Sequence, residues 1–164
     1  MKLVEQHIIK RSDPRYKRID EAAFASKNLW NLANYYVRQA FIHEQTYLDN
    51  TAVYHLVKAS DAYKTLPAKV SNQVLIQLHN AWIGFFEAMD EWREEPSRFT
   101  GRPKLPGYKH KTEGRSLLVY EKGAIWKREL DQGVIAVTQL GALVQTAQSR
   151  ETVLEVRIVP KGDH

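Results

Sequence analysis

The chain has 164 residues, of which 43% are hydrophobic and 26% charged, and its net charge is +5 at pH 7. These values are typical of one soluble globular domain large enough to bury a core. The absence of cysteine excludes disulfides, zinc ribbons and thiol nucleophiles. The sequence has neither a recognisable signal peptide nor an apolar run of membrane-spanning length, so we expect a cytoplasmic protein.

The positive charge is concentrated in two short segments. Residues 96–115 carry six Lys or Arg against one acid, and residues 2–18 carry six against two. These segments have net charges of +5 and +4, so the rest of the chain sums to −4. A coat of charge that serves only solubility would be spread more evenly, and this pattern indicates an anionic partner.

The first half of the chain predicts one strand followed by helices. Residues 3–9, LVEQHII, favour a strand that ends in a basic turn. Apolar residues then recur every three or four positions over residues 20–45, which predicts a long helix with Asp20 as its N-cap. A shorter helix follows, and its alternative N-caps are Asp49, Asn50 and Thr51.

A third helix is predicted to begin at Pro67, where proline is tolerated, and to end at Pro96. Its apolar stripe includes Trp82, Phe85 and Phe86. Because these rings repeat with the helical period, we interpret them as core residues rather than as a stacking platform for bases. The three helices should therefore pack as a small bundle.

The last third of the chain predicts β-structure. Five short β-rich pieces, SLLVYE, AIWKREL, VIAVTQL, ALVQTA and TVLEVRIVP, are separated by turns that contain glycine or polar residues. A lone strand is not stable, so the first strand should pair with these pieces. The predicted fold class is α+β: a small antiparallel β-sheet or barrel with a helical bundle inserted after the first strand. Residues 1–18 and 115–164 would form the β domain, 19–96 the bundle, and 97–114 a basic connector.

The sequence contains no complete catalytic constellation. The six histidines lack metal-ligand spacing. The four carboxylates of residues 90–95, DEWREE, are expected on the solvent side of the third helix rather than around a metal. Glycine loops of the kind that cradle phosphates are also absent. We therefore expect no catalytic residue, no metal and no cofactor.

The segment 97–116, SRFTGRPKLPGYKHKTEGRS, suggests binding instead. It interleaves Phe99 and Tyr108 with cations, and this mixture suits nucleic acid because cations bind phosphates and rings stack on bases. Its prolines and glycines favour a fixed, extended backbone. A stiff, solvated connector is the alternative interpretation.

Three stretches, taken in order, resemble the N-terminal region of the TnpB proteins. They are SKNLWNLANYYVRQAF, LPAKVSNQVLIQLHNAWIGFFEAMDEW and GRPKLPGYKHK. TnpB proteins are RNA-guided DNA endonucleases of bacterial insertion sequences, also called OrfB-type transposases, and are related to type V CRISPR effectors. The order and spacing of these features carry the resemblance: the helix with Leu32, Asn34, Tyr36 and Arg38-Gln39, the Leu-Pro pair, the aromatic cluster and the Pro-x2-Lys loop.

The resemblance implies a prokaryotic, cytoplasmic protein in which a β-barrel wedge domain is interrupted by a helical recognition domain. It also implies guide RNA and target DNA as partners. The RuvC-like nuclease domain of the family, with its metal-binding acids, does not occur in this sequence. The chain alone is therefore expected to bind nucleic acid without cutting it.

The resemblance assigns roles to three groups of residues. Asn72 and Gln73, with Lys69 beside them, would contact the motif that flanks the target, because an amide can pair with adenine; the alternative is that they are merely surface amides. Arg38 would face the heteroduplex or pair with a buried acid. The phosphate contacts would be Lys10, Arg11, Arg15 and Lys17, together with Arg102, Lys104, Lys109 and Lys111.

Two other functions stay open at this point. One is a stand-alone RNA- or DNA-binding regulator derived from the same family, and the other is a protein-interaction module that uses the helical bundle. Steep salt dependence of binding is expected of the first but not of the second.

Overall fold

The computed structural model describes residues 2–161 and contains two long helices with a small β-layer beside them. The helices are α1 (Tyr16–Glu44), α2 (Asn50–Val57), α3 (Asp61–Lys64), α4 (Ala68–Glu94) and α5 (Lys127–Asp131). The strands are β1 (Leu118–Glu121), β2 (Val134–Val137), β3 (Gly141–Gln145) and β4 (Glu155–Ile158). The predicted α+β class is thus confirmed.

The helical core forms where the apolar stripes of α1 and α4 meet. Leu29, Ala33 and Val37 lie four residues apart on α1 and are buried, so they share one face of that helix. Trp82 of α4 is fully buried in the same cluster, and Phe85 and Phe86 pack partly buried against it. The prediction of a core residue is confirmed for Trp82, whereas Phe85 and Phe86 pack against the core and keep part of their surface exposed.

The helix ends follow the sequence signals in most places. Asp49 caps α2 by accepting a hydrogen bond from the Ala52 N–H at 2.9 Å, and α4 begins directly after Pro67. The prediction for Asp20 is wrong because α1 already begins at Tyr16, so Asp20 lies within the helix. Its carboxylate instead binds Arg115 at 2.8 Å.

The β-layer consists of two antiparallel pairs. β1 pairs with β4, with Leu118 opposite Ile158 and Glu121 opposite Glu155, and β1 also lies against α4. β2 pairs with β3 as a hairpin with an irregular register between Ile135 and Ala136. Within residues 2–161 the pairs do not close into a barrel.

Two predicted strands are wrong. Residues 3–9 form no strand: they run without backbone pairing, and Leu3 and Val4 are more than four-fifths exposed. β-propensity produces a strand only where a partner edge is within reach, and here each strand pairs with another that follows α4. In AIWKREL only Ile125 forms a bridge, to Val137, after which the chain turns into α5. The helical turn buries Leu130 and leaves the charged residues outside.

We expect Tyr120→Phe to stabilise the protein. Tyr120 of β1 is fully buried, and its hydroxyl has no hydrogen-bond partner within the described residues. Burial also raises the pKa of this phenol well above its ordinary value. Because an unpartnered buried hydroxyl costs about 1–3 kcal/mol, its removal should raise the free energy of unfolding by about 1 kcal/mol in urea titrations.

Tyr63→Phe is the matched control for this prediction. The Tyr63 hydroxyl donates a hydrogen bond to Asn72 Oδ1 at 2.7 Å, so its loss should lower the free energy of unfolding by about 1 kcal/mol. Equal destabilisation by both substitutions would contradict the assignment of Tyr120 as an unpaired group.

Candidate nucleic-acid interface

Residues 101–117, which we call the strap, connect the helical bundle to β1 without forming a helix or strand. The strap runs along α1 in the opposite direction. Pro106 lies beside Arg38 near the C-terminal end of the helix, and Ser116 donates its N–H to the Ala23 carbonyl near the other end, at 3.2 Å. Proline and glycine therefore do not leave this segment loose, because it is docked along most of α1.

One face of α1 binds the backbone of the strap. Asn31 pairs with both backbone groups of Lys109: its Nδ2 donates to the carbonyl at 2.9 Å, and its Oδ1 accepts from the N–H at 2.8 Å. Arg38 Nη1 donates to the Pro106 carbonyl at 2.8 Å, and Trp30 Nε1 donates to Gly107 at 3.1 Å. Since side chains three or four residues apart share a helix face, these groups form a single row of donors.

Asn34 connects three elements within this row. Its Nδ2 donates to the carbonyls of Pro106 at 3.0 Å and Gly107 at 3.3 Å, and its Oδ1 accepts from Trp82 Nε1 at 3.0 Å. Both Asn34 and Trp82 are fully buried. A single amide thus joins α1, α4 and the strap through hydrogen bonds in a low-dielectric environment, where an unmade bond is expensive.

Lys27 extends the same face toward the other end of the strap. Only 2% of the residue is exposed, its Nζ donates to the Lys111 carbonyl, and the ammonium lies 3.8 Å from the centre of the Phe24 ring. Burial, followed by the nearby charges of Arg115 and Lys111, lowers the pKa of Lys27. The carbonyl and the ring face offset part of the cost of removing this cation from water.

Four basic side chains of the strap are exposed, whereas Arg115 turns back to bind Asp20 of α1. The ammonium of one of the four, Lys109, lies 4.9 Å from the centre of the Trp30 ring. Arg102, Lys104, Lys109 and Lys111 are all exposed, and none of the four forms an ion pair with an acid in the part of the chain that the structure describes. Tyr108 is also exposed, and the Arg38 guanidinium lies 5.1 Å from its ring centre. We call Arg102, Lys104, Lys109 and Lys111 the cation row.

The predicted contacts in the N-terminal segment do not all face solvent. Lys10, Arg11 and Lys17 are exposed. The Arg15 guanidinium instead binds Asp13 Oδ1 at 2.8 Å and the carbonyl of Leu143 in β3. The hydrogen bonds that Asp13 accepts from the guanidinium and from the backbone N–H of Arg15 lower the pKa of Asp13 to about 2. Arg15 thus fixes the turn before α1 against the β2–β3 hairpin. Its guanidinium therefore has fewer N–H donors left to bind phosphate.

The three residues of α4 that were predicted to contact the target-flanking motif do not lie on one face of the helix. Lys69 and Asn72 are exposed and lie three residues apart on one face; Lys69 Nζ is 3.4 Å from the Gly123 carbonyl. Gln73 is only 9% exposed, because consecutive residues of a helix point about 100° apart and Gln73 faces the interior. Asn72 and Gln73 therefore do not present their amides side by side.

Of the two alternatives that the sequence left open for Arg38, the structure contradicts pairing with a buried acid. Its guanidinium binds a strap carbonyl and covers the Tyr108 ring, so its partner is not a buried acid. Lys27, Trp30 and Asn31 were not predicted as site residues. The recurrence of polar side chains at Asn31, Asn34 and Arg38 was a usable signal, since it marks a polar stripe on an otherwise apolar helix.

Other kinds of site find little support. The carboxylates of residues 90–95 are exposed, as predicted. Residues 2–161 contain no group of three or more His, Asp or Glu side chains placed to hold a metal ion. No helix in the described range is long and apolar enough to cross a membrane. Comparison with protein-family models, with curated proteins and with solved structures gives no match.

We expect Asn34→Leu to release the strap. The substitution leaves the buried Trp82 indole N–H without its acceptor, so the free energy of unfolding should fall by about 2 kcal/mol in urea titrations. It also removes one of the two side-chain donors from each of the Pro106 and Gly107 carbonyls. Hydrogen exchange at the Lys109 amide should accelerate. Asn80→Leu, on the exposed face of α4, is the control and should change stability by less than about 0.5 kcal/mol. Similar effects of the two substitutions would contradict the joining role of Asn34.

Proposed function

We propose that this chain is a nucleic-acid-binding module that grips the phosphate backbone of RNA with the cation row. The observation that carries the proposal is the docking of the strap: the carbonyls of Pro106, Lys109 and Lys111 bind α1, and the four side chains of the cation row are exposed. A backbone that is already fixed loses less conformational entropy when its side chains bind a ligand.

The anchoring argues against a mere connector. Six side chains of α1 donate hydrogen bonds to strap carbonyls, from Ser26 at one end to Arg38 at the other, and one of these donors is the desolvated Lys27. In a solvated connector, a buried cation such as Lys27 would only cost the free energy of removing it from water. In a surface that holds several like charges in fixed positions, the same contact is useful because it fixes the backbone that carries those charges.

The two basic segments meet at the N-terminal end of α1. Arg115, at the end of the strap, binds Asp20 at 2.8 Å. Asp20 lies three residues after Lys17, a rise of about 4.5 Å along the helix. The exposed Lys17 therefore lies near the end of the strap, where it would extend the cation row. The exposed Tyr108 ring within the strap suits an unpaired base.

The resemblance to TnpB proteins supports RNA as the ligand. On this proposal the chain holds the guide RNA and the target heteroduplex through backbone contacts, which position nucleic acid without reading its sequence. Cleavage is not part of the proposal, because the RuvC-like domain that supplies the catalytic acids of the family does not occur in this sequence. RNA that co-purifies with the chain can be extracted, sequenced and titrated back onto it.

We expect the Arg102→Gln, Lys104→Gln, Lys109→Gln, Lys111→Gln variant to bind that RNA weakly. Loss of four phosphate contacts should flatten the slope of log K against log salt concentration by about 3, measured by fluorescence anisotropy at several salt concentrations. Circular dichroism should be unchanged, because the removed side chains are exposed.

The control removes four other exposed cations and so has the same net charge. It carries Lys58→Gln, Lys64→Gln, Lys122→Gln and Lys127→Gln, all outside the two basic segments. Its salt slope should stay close to that of the unchanged chain. If both variants lost the same RNA affinity and salt slope, net charge rather than the cation row would explain the binding. A flat salt dependence of the unchanged chain would refute the proposal.

A further inference from the structure

A groove of about 340 Å³ opens between the C-terminal parts of α1 and α4 and the start of the strap. Its apolar lining comes from all three elements: Phe41 from α1, Phe85, Phe86 and Met89 from α4, and Pro103 and Leu105 from the strap. Binding pockets for small ligands commonly have volumes of about 300–1,000 Å³. The groove therefore has room for one compact ring system rather than for a long peptide.

The aromatic lining is held in place yet remains partly open to solvent. Phe41, Phe85 and Phe86 are half-buried, and their rings contact one another with centroids 5.4–6.1 Å apart. The buried Trp82 ring lies 5.3 Å from Phe41 and supports the cluster from inside. Rings fixed in this way offer π surface to a flat ligand at little cost in side-chain entropy.

Charged groups occur at the rim of the groove. Arg93 binds Asp90 at 2.9 Å, which neutralises that acid, and Arg102 lies 5.9 Å from the centre of the Trp92 ring. Arg102 thus adds an unbalanced positive charge at the rim of this apolar groove. The complementary ligand is a flat ring system that carries an anionic group at one end, and an unpaired nucleotide has this chemistry.

We propose that the groove takes one unpaired base of the bound RNA, which stacks within the aromatic lining while the adjacent phosphate contacts Arg102. The inference rests on the proposed function. It is supported by continuity, because Arg102 and Lys104 of the cation row flank Pro103 in the wall of the groove. An RNA backbone that follows the row therefore passes its opening. The groove would hold a second base on a surface that otherwise contacts phosphates and, at Tyr108, one base.

Photo-cross-linking of the unchanged chain tests the position of the base. The probe is a ten-nucleotide oligouridylate in which 4-thiouridine replaces every uridine. After irradiation, mass spectrometry of the peptides should find cross-links to Phe85, Phe86 or Leu105. If this RNA binds with steep salt dependence but its cross-links lie entirely outside the groove, the inference is wrong.

A groove-filling variant gives the second test. Leu105→Trp should weaken binding of unmodified oligouridylate about tenfold, in line with the loss of one stacked base, and leave the salt slope unchanged. An abasic strand of equal length should bind both forms alike. Ile42→Trp is the control, because Ile42 is exposed next to Phe41 but does not line the groove.

The outcomes separate the two proposals. If oligouridylate, abasic strand and co-purified RNA all fail to bind, the proposed function fails and the inference fails with it. If both strands bind with equal affinity and Leu105→Trp has no effect, the inference fails alone. Should Leu105→Trp lose its native circular dichroism, the cross-links of the unchanged chain decide.

Discussion

The buried amide of Asn34 is the contact that sets the relative positions of the main elements. It donates to the strap at Pro106 and accepts from Trp82, so α1, α4 and the strap meet at one side chain. An amide has defined directions for donors and acceptors, whereas apolar packing tolerates sliding. This hydrogen-bonded junction therefore fixes the register of the strap on the bundle, and the neighbouring contacts of Asn31 and Arg38 follow from it.

The orientation of the strap has an electrostatic consequence. With the carbonyls turned toward α1, four exposed cations are held along one short segment, close to the buried charge of Lys27. Like charges at such spacing repel one another, and this repulsion destabilises the unbound protein. Burial is the main cause of the lowered pKa of Lys27, and the nearby charges of Arg115 and Lys111 lower it further. On the proposed function, a polyanion bound along the row would relieve the repulsion between these cations.

The sequence predicts the helical half of this fold better than the β half or the site. The stripe that contains Trp82 and the cap at Asp49 are local signals, and both are found in the structure. Residues 3–9 have the composition of a strand but lack a partner edge, which is a tertiary condition that composition does not encode. Charge patterning located the exposed cation row, yet it could not separate Lys104 from Arg15, which binds the carbonyl of the sequence-distant Leu143.

The strap is held by hydrogen bonds rather than by a large apolar interface, and this limits its local stability. A typical hydrogen bond contributes about 1 kcal/mol net, so the strap can open at a lower free energy than the core around Trp82. A ligand that binds only the docked strap must shift this local equilibrium toward docking. If the strap binds an anionic ligand as proposed, its anchors on α1 and its cations are thermodynamically coupled: loss of an anchor would lower the affinity, because the ligand would then also have to order the segment.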